Sequence, residues 1–360
     1  MFNGHSVLNG QKILVTGAAG FIGANLTVKL LNILSDTLIV GLDNLNDYYD
    51  VSLKEYRLKQ IEAAKEKNKS NEFIFVKGNV ADRTLVNGLF EEYRFDYVVN
   101  LAAQAGVRYS IENPDVYIES NLIGFYNIIE ACRHYPVTHF VFASSSSVYG
   151  NNKKIPFSTD DKTDEPVSLY AATKKSDELI AHAYSKLYDI PMTGLRFFTV
   201  YGPAGRPDMA YFGFADKFRN GETVRIFNYG NCQRDFTYID DITEGIVRVM
   251  TVAPEKKSGD DGLPIPPYKI YNIGNNHPEN LLEFAFILQN ELVSAGVLPP
   301  DFDFDKHKEL VPMQAGDVPI TYADVSEFEK DFGFKPQTSL KDGLHRFAMW
   351  YKEFYIDKEK

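Results

Sequence analysis

Tyr170 and Lys174 stand four residues apart in the run Tyr-Ala-Ala-Thr-Lys. On a helix that spacing projects a phenol and an ammonium from one face. A free tyrosine, with a pKa of about 10, is a poor base near neutrality. A fixed cation beside it favours the phenolate, and the tyrosine can then serve as a general base. The same spacing occurs on ordinary surface helices, so the company the pair keeps decides what it does.

Gly17, Gly20 and Gly23 follow the apolar run Lys12–Thr16 and precede a helical pattern over 24–34. Strand, glycine-rich turn and helix is the arrangement that seats a pyrophosphate on a helix N-terminus. Gly17 allows the tight turn, Gly20 lets the backbone approach the phosphates, and Gly23 lets the helix pack close to the strand. The spacing is G-x-x-G-x-x-G rather than G-x-G-x-x-G. A second predicted strand, 37–42, ends at Asp43, about 20 residues past Gly23. There a carboxylate accepts hydrogen bonds from the adenosine ribose hydroxyls. Asp43 repels a 2′-phosphate, and no basic residue follows before Lys54, which favours NAD over NADP.

The elements that must position these residues alternate. Further strands are predicted at 73–76, 97–101 and 139–143, with a helix around 121–134. Residues 46–71 are polar and lysine-rich and read as a solvated helix and loop. Such alternation gives an α/β chain with a doubly wound parallel sheet, whose ligands bind beyond the carboxyl ends of the strands. The glycine loop, Asp43, Ala102 and Ala103, the serine run 144–147 and the segment from Arg196 to Thr199 all fall at such ends. Small residues around 102–106 suit close backbone approach to a cofactor. Arg108, at the end of that loop, reads equally as a structural ion-pair residue. After Leu195 the strict alternation stops. A Pro/Gly loop at 203–208 carries Arg206, a polar insertion spans 254–267, and a strand is predicted at 269–273. An amphipathic helix over 340–351 closes the chain. The expected division is a cofactor-binding domain over 1–195 and a smaller α/β substrate domain over 196–360. Segments 235–250 and 269–275 are expected to return to the first.

With 360 residues, 44% hydrophobic and 24% charged, the chain is long enough for one large core or two moderate ones. A net charge of −11 argues against nucleic acid or an acidic membrane as partner. Cys132 and Cys232 form no disulfide framework, and no Cys/His cluster has metal-binding spacing. Residues 1–11 lack the basic region and apolar run of a signal peptide, and no apolar stretch approaches the roughly 20 residues of a membrane span. The expectation is a soluble, cytoplasmic protein without a metal.

Thr-Gly-Ala-Ala-Gly-Phe-Ile-Gly at 16–23, the serine run before Val148-Tyr149-Gly150, and Tyr170-x-x-x-Lys174 resemble the extended short-chain dehydrogenase/reductases. Within them, several segments look like the UDP-glucuronate 4-epimerases: Ala-Gln-Ala-Gly-Val-Arg-Tyr-Ser at 103–110, Ser-Leu-Tyr-Ala-Ala-Thr-Lys-Lys at 168–175, Arg-Phe-Phe-Thr-Val-Tyr-Gly-Pro at 196–203, Gly-Arg-Pro-Asp-Met at 205–209, Arg-Asp-Phe-Thr-Tyr-Ile-Asp-Asp at 234–241 and Gly-Asp-Val at 316–318. The resemblance implies a Rossmann domain holding NAD through Gly17, Gly20, Phe21, Ile22, Gly23 and Asp43. Asn44, Asn79, Val80, Leu101, Ala102, Ala103, Asn121 and Ser144 are further cofactor candidates, and Lys174 falls on the nicotinamide ribose. It implies Tyr170 as the base, with a hydroxyl from the serine run on the sugar 4-OH, Ser145 first and Ser146 second. The C-terminal part would then hold a UDP-sugar. Arg234 offers a fork for the diphosphate, Asp317 an acceptor for the uridine ribose, and Arg225, Phe227 and Tyr229 a setting for the uracil. Arg108 and Thr199 complete the substrate candidates, and relatives of this kind form homodimers.

The implied chemistry is transient oxidation at C4, rotation of the 4-keto sugar and return of the hydride to its other face. A 4-keto uronic acid is a β-keto acid and loses CO₂ unless its carboxylate is held rigidly. Arg206, Thr199 and the serine run are the candidates for holding it. A 4,6-dehydratase needs an acid/base pair where this chain has Ser146 and Ser147, which disfavours it. A UDP-glucose or UDP-N-acetylhexosamine(uronate) 4-epimerase differs only in sugar recognition, and a decarboxylase only in the fate of the keto acid. A non-catalytic NAD-binding regulator would have no use for both Tyr170 and Lys174.

Overall fold

Ile13 and Val15 face one apolar core and Leu14 a second, so strand β1 (Lys12–Thr16) is buried on both sides, as a parallel strand between helices must be. The computed structural model describes residues 4–313 and 320–357. Beyond β1 the chain alternates through α1 (Phe21–Ile33), β2 (Leu38–Asp43), α2 (Val51–Lys67), β3 (Glu72–Lys77), α3 (Arg83–Tyr93) and β4 (Tyr97–Asn100). Short helices α4 (Tyr109–Glu112) and α5 (Asp115–Tyr117) lead through a π-helical turn (Ile118–Ile123) into α6 (Gly124–His134). Then come β5 (His139–Ser145), α7 (Leu169–Tyr188) and β6 (Met192–Phe197).

The remainder supplies β7 (Thr199–Tyr201), α8 (Ala210–Arg219), β8 (Val224–Ile226), β9 (Gln233–Tyr238) and α9 (Ile239–Met250). Strands β10 (Lys257–Ser258) and β11 (Pro264–Ile265) make a small hairpin of the polar insertion, ahead of β12 (Tyr268–Ile273). Strand β13 (Pro278–Asn280), α10 (Leu281–Ser294), β14 (Lys308–Leu310), α11 (Ser326–Phe332) and α12 (Leu340–Tyr355) follow.

Seven strands form one sheet in the order β12-β6-β5-β4-β1-β2-β3, and every pairing in it is parallel. The order reverses between β1 and β4, where a doubly wound sheet opens its ligand crevice. This is the Rossmann arrangement expected from the alternation. Strand β12 pairs with β6 in register from Tyr268 with Met192 to Ile273 with Phe197, and α9 packs on α1. The rest of the second half builds a smaller lobe from the β13-β9-β7 sheet and the β14-β8 pair. Around them α8, α10 and α12 bury Phe212, Phe284, Phe347 and Tyr351. Among the described residues no helix is long and apolar enough to cross a membrane.

Helix α2 corrects one expectation. It is not merely a solvated element, because Leu53, Lys54, Arg57, Ile61 and Ala64 are buried. Lys54 and Arg57 share the stripe of Leu53 and Ile61 at helical spacing, so packing α2 against α1 takes the two cations inward as well.

Candidate active site

At the switch point the ends of β1 and β4 touch. Gly17 sits at φ +70°, and a Cβ on it would come within 2.9 Å of the Ala102 nitrogen. Gly23 meets the loop itself, since a Cβ there would lie 2.1 Å from the Gly17 carbonyl oxygen. Gly20 begins α1 without a side-chain cap, so the first-turn N–H groups remain available for an anion. At the end of β2, Asp43 accepts the Ala19 N–H on Oδ2 at 3.0 Å and the Leu45 N–H on Oδ1 at 2.9 Å. The same carboxylate therefore shapes the glycine loop and keeps lone pairs for ribose hydroxyls. A cleft of about 620 Å³ continues from there, lined by Asn44, Tyr48, Asn79, Gln104, Arg108 and Tyr109 among others. A cradle that any Cβ would fill, an uncapped helix end and a strand-end carboxylate fit NAD.

Arg57 ties this loop to the other side of the cleft. Its guanidinium donates to the carbonyls of Ala19 at 3.1 Å, Ala204 at 2.9 Å and Gly205 at 2.9 Å, and to the Tyr49 hydroxyl at 2.6 Å. Lys54 Nζ is held by Asn46, on its carbonyl and Oδ1. Burial lowers the Lys54 ammonium against the pull of Asp43.

Helix α7 is started by Ser168, whose Oγ accepts the Ala171 N–H at 3.1 Å. Tyr170 and Lys174 occupy its first two turns. Lys174 is buried and donates to the Ala143 carbonyl at 2.9 Å and to Asp177 Oδ2 at 3.0 Å. Beneath it Arg196 grips Glu178 through Nε–Oε1 at 2.8 Å and Nη2–Oε2 at 2.9 Å. Arg196 also donates to the Tyr149 hydroxyl, which donates to Asn272 Oδ1 at 2.6 Å. Burial alone would raise the Glu178 carboxyl, but Arg196 and Ser144 outweigh it and hold it below its ordinary value. This network bolts α7 to β5, β6 and β12.

The serine run divides by strand alternation. Ser144 donates to Glu178 Oε1 at 2.7 Å, so its hydroxyl is part of the network beneath Lys174. Ser145 Oγ accepts the Ser147 N–H at 3.2 Å, and that bond leaves its own proton to give. Ser146 lies in the short turn that follows.

A chain of aromatic rings leads from Tyr170 to the opposite wall. Tyr170 meets Tyr117 edge-on with centroids 6.1 Å apart, Tyr117 meets Tyr109 at 6.3 Å, and Tyr109 meets Tyr48 at 4.7 Å. Tyr117 gives its proton to the Ala105 and Gly106 carbonyls, and burial pushes its phenol up. Burial and the Asp208 carboxylate push Tyr48 up to about 12. Neither is suited to take a proton. Arg206 closes the wall: its Nε donates to Asp208 Oδ1 at 3.0 Å and its Nη2 to Oδ2, and its charge acts on Tyr170, Tyr48 and Tyr117.

Other candidates fall in several places. Thr199 opens β7 opposite Phe236. Arg108 lies over the Phe227 ring at 5.8 Å, spanning the two lobes. Arg234 Nη1 donates to the Gln233 carbonyl. Arg225 is exposed and paired with Glu309 at 3.2 Å, because the flanking Val224 and Ile226 turn inward. Asn79 donates to Glu119 Oε1 at 2.9 Å beside the cleft, and Asn44 Oδ1 accepts the Asn46 N–H at 3.1 Å. Leu101, Ala102 and Ala103 lie at the end of β4, where Ala102 N–H bonds Thr16 Oγ1 at 3.1 Å. Asp317 lies outside the described residues. Three further candidates have side chains engaged within the protein. Phe21 and Val80 are buried in the apolar cores. Asn121 clamps Gln104 N–H and carbonyl to Thr173 Oγ1. Ile22 packs half-buried against the core. Sequence reading did not single out Tyr48, Arg57, Tyr117, Asp177, Glu178 or Asp208. For Arg57 the signal was its place on an apolar stripe, and for Asp177 its place one turn past Lys174.

Residues 13–274 match the model of the NAD dependent epimerase/dehydratase family. Protein CapI of Staphylococcus aureus is 49% identical over 351 residues, covering 96% of this chain and 99% of that protein. UDP-glucuronate 4-epimerase 4 of Arabidopsis thaliana is 45% identical over 362 residues, covering 99% of this chain and 78% of the plant protein. The crystal structure of UDP-glucuronic acid 4-epimerase from Bacillus cereus, in complex with UDP-glucuronic acid and NAD, superposes with a TM-score of 0.79. It is 32% identical, and the match covers 96% of this chain and 100% of that one.

Proposed function

The chain belongs to the NAD dependent epimerase/dehydratase family, and on that premise we propose that it inverts C4 of UDP-glucuronate to give UDP-galacturonate, and the reverse. The observation that carries the choice of a uronate is Arg206. Its guanidinium acts on Tyr170 and already grips a carboxylate, Asp208, with two donors. Among the described residues its Nη1 makes no hydrogen bond, which leaves a donor for a second carboxylate.

In this reading Tyr170 takes the C4 hydroxyl proton while Ser145, with Ser146 next to it, bonds the same oxygen. NAD, when bound, supplies a hydride acceptor that returns the hydride, so net redox is zero. Lys174 holds the nicotinamide ribose and favours the phenolate of Tyr170. Gly17, Gly20, Gly23 and Asp43 seat the pyrophosphate and adenosine. Arg206, with Thr199, holds the uronate carboxylate in one plane and so opposes loss of CO₂ from the 4-keto acid. Arg234 and Arg108 take the diphosphate, Phe227 the uracil side, and Asp317 the uridine ribose. Arg225 stands further out. Residues 1–195 then form the cofactor domain and 196–360 mainly the nucleotide-sugar domain, with 235–250 and 269–275 on the cofactor side.

We place the protein in the cytoplasm, supplying a uronate for polysaccharide synthesis, as a homodimer. Exposed Ile123, Tyr126, Leu179, Leu187 and Tyr188 support a pairing surface over α6 and α7, and Tyr184 joins Tyr126 to Tyr188 across it.

The test is NMR of the products formed from UDP-glucuronate. A mixture of glucuronate and galacturonate sugars with little pentose is expected. Pentose as the main product would make the protein a decarboxylase, and turnover of UDP-glucose alone would remove the uronate.

A further inference from the structure

Tyr170, Lys174 and Asp177 occupy positions i, i+4 and i+7 of α7, so they stand on one face of the helix. Asp177 is fully buried. One of its oxygens lies 3.0 Å from Lys174 Nζ, and the other, Oδ1, has no hydrogen-bond partner among the described residues. An acid so placed has no packing reason to be charged, because burial opposes its ionisation. The charges that act on it are Lys174 and Glu178, both on its own helix. Glu178 is itself neutralised by Arg196 from β6, with Lys175 beside it. From β5 the facing group is the uncharged Ala143 carbonyl that shares Lys174. The ammonium and the carboxylate are therefore each other's nearest unbalanced charge.

We propose that Asp177 is a positioning residue for the reacting pair: it fixes the Lys174 ammonium and sets how much of its positive charge Tyr170 feels. The proposal rests on the reading of Tyr170 and Lys174 as that pair. With Asp177 ionised the Lys174–Asp177 unit is neutral overall, and the phenolate gains little. With Asp177 neutral the unit carries a full positive charge, and the phenolate is favoured. Burial pushes the Asp177 carboxyl up against the pull of Lys174, so both states lie within reach of working pH. Asp177 lies seven positions along the helix from Tyr170, about 10 Å of rise. Removing one charge at that distance, at an effective dielectric of about 20, shifts a titration by on the order of one pH unit.

The experiment compares holoenzymes carrying Asp177→Asn, Asp177→Ser and Asp177→Glu with the unmodified protein. Two quantities are followed: the acid limb of kcat against pH with UDP-glucuronate, and the near-ultraviolet phenolate band titrated without substrate. Tyr170→Phe identifies which part of that band belongs to Tyr170. In whichever of the Asn and Ser variants is purified with NAD bound, both midpoints are expected about one pH unit lower. Asp177→Glu, which keeps the charge, is expected to stay near the original midpoints. Unchanged midpoints in the neutral variants, a shift toward alkaline pH, or an equal shift in Asp177→Glu would overturn the proposal. Normal turnover by Tyr170→Phe would instead remove the reading of the reacting pair, a separate outcome.

Discussion

Asp208 holds the Nε and Nη2 edge of Arg206 from two residues away, and its Oδ2 also accepts the Tyr48 hydroxyl at 3.3 Å. The guanidinium whose charge acts on Tyr170 is thus oriented by the protein itself. The Tyr48 contact joins the loop after β2 to the loop after β7. Gly106 must be glycine for this junction to close, since it sits at φ +107° and a Cβ there would meet the Tyr48 hydroxyl at 2.9 Å.

Arg206→Ala tests the carboxylate role. A hydrogen bond to a charged group is worth about 1.5–3 kcal/mol, so kcat/KM for UDP-glucuronate should fall roughly 10- to 150-fold. The pentose share of the product should rise. A neutral UDP-hexose, if turned over, should lose far less. Equal losses on both sugars would remove the assignment.

Tyr170→Phe keeps the ring that Tyr117 meets edge-on and deletes the proton acceptor. NAD content and melting temperature should stay close to those of the unmodified enzyme, while kcat falls by at least about 100-fold. Near-normal turnover would place the base elsewhere.

Arg57 links the glycine loop to residues 204–205, immediately before Arg206. Arg57→Lys retains a cation but not a planar fork with five donors. It should keep NAD bound and raise KM for UDP-glucuronate about 10-fold. Arg57→Met strands three buried carbonyls, each at a cost of about 1–3 kcal/mol, and should lower the melting temperature clearly. A KM unchanged in Arg57→Lys would show that the loop holds Arg206 without it.

His139 is buried in β5, within hydrogen-bond distance of Thr193 Oγ1 at 2.8 Å. Burial depresses its imidazole from 6.5 to about 4. A depressed value in the fold means the neutral form is favoured there. Its stability contribution is complete above pH 6.5 and is lost as the pH falls through about 4. Over that window the unmodified protein should lose on the order of 3 kcal/mol that His139→Gln does not lose. Urea denaturation at several pH values measures the difference. Parallel curves would show that His139 does not titrate in this range.

The sheet was legible in the sequence because its strands are largely apolar runs, and hydrophobic period is a local property. The glycine loop, Asp43 and the Tyr170/Lys174 spacing were legible for the same reason, each being a short motif in one element. Strand ends were less so: β5 runs on to Ser145 only because Ser144 and Ser145 find Arg196 and Phe197 as partners.

What only the tertiary structure decided is which polar groups spend their hydrogen bonds on each other. Nothing local separates Ser144, bound to Glu178, from Ser145, which keeps its proton. Nothing local brings Arg57 of α2 to carbonyls some 150 residues away. The polar, lysine-rich stretch around Lys54 and Arg57 suggested solvent. They are buried because Asn46 for Lys54, and the carbonyls of Ala19, Ala204 and Gly205 for Arg57, offset the cost of removing them from water. By itself the sequence determined the fold class, the glycine loop and the Tyr170/Lys174 spacing, because each depends on residues close together in the chain. The structure decided which side chains remain free to meet a ligand, because that depends on every neighbour the fold brings in.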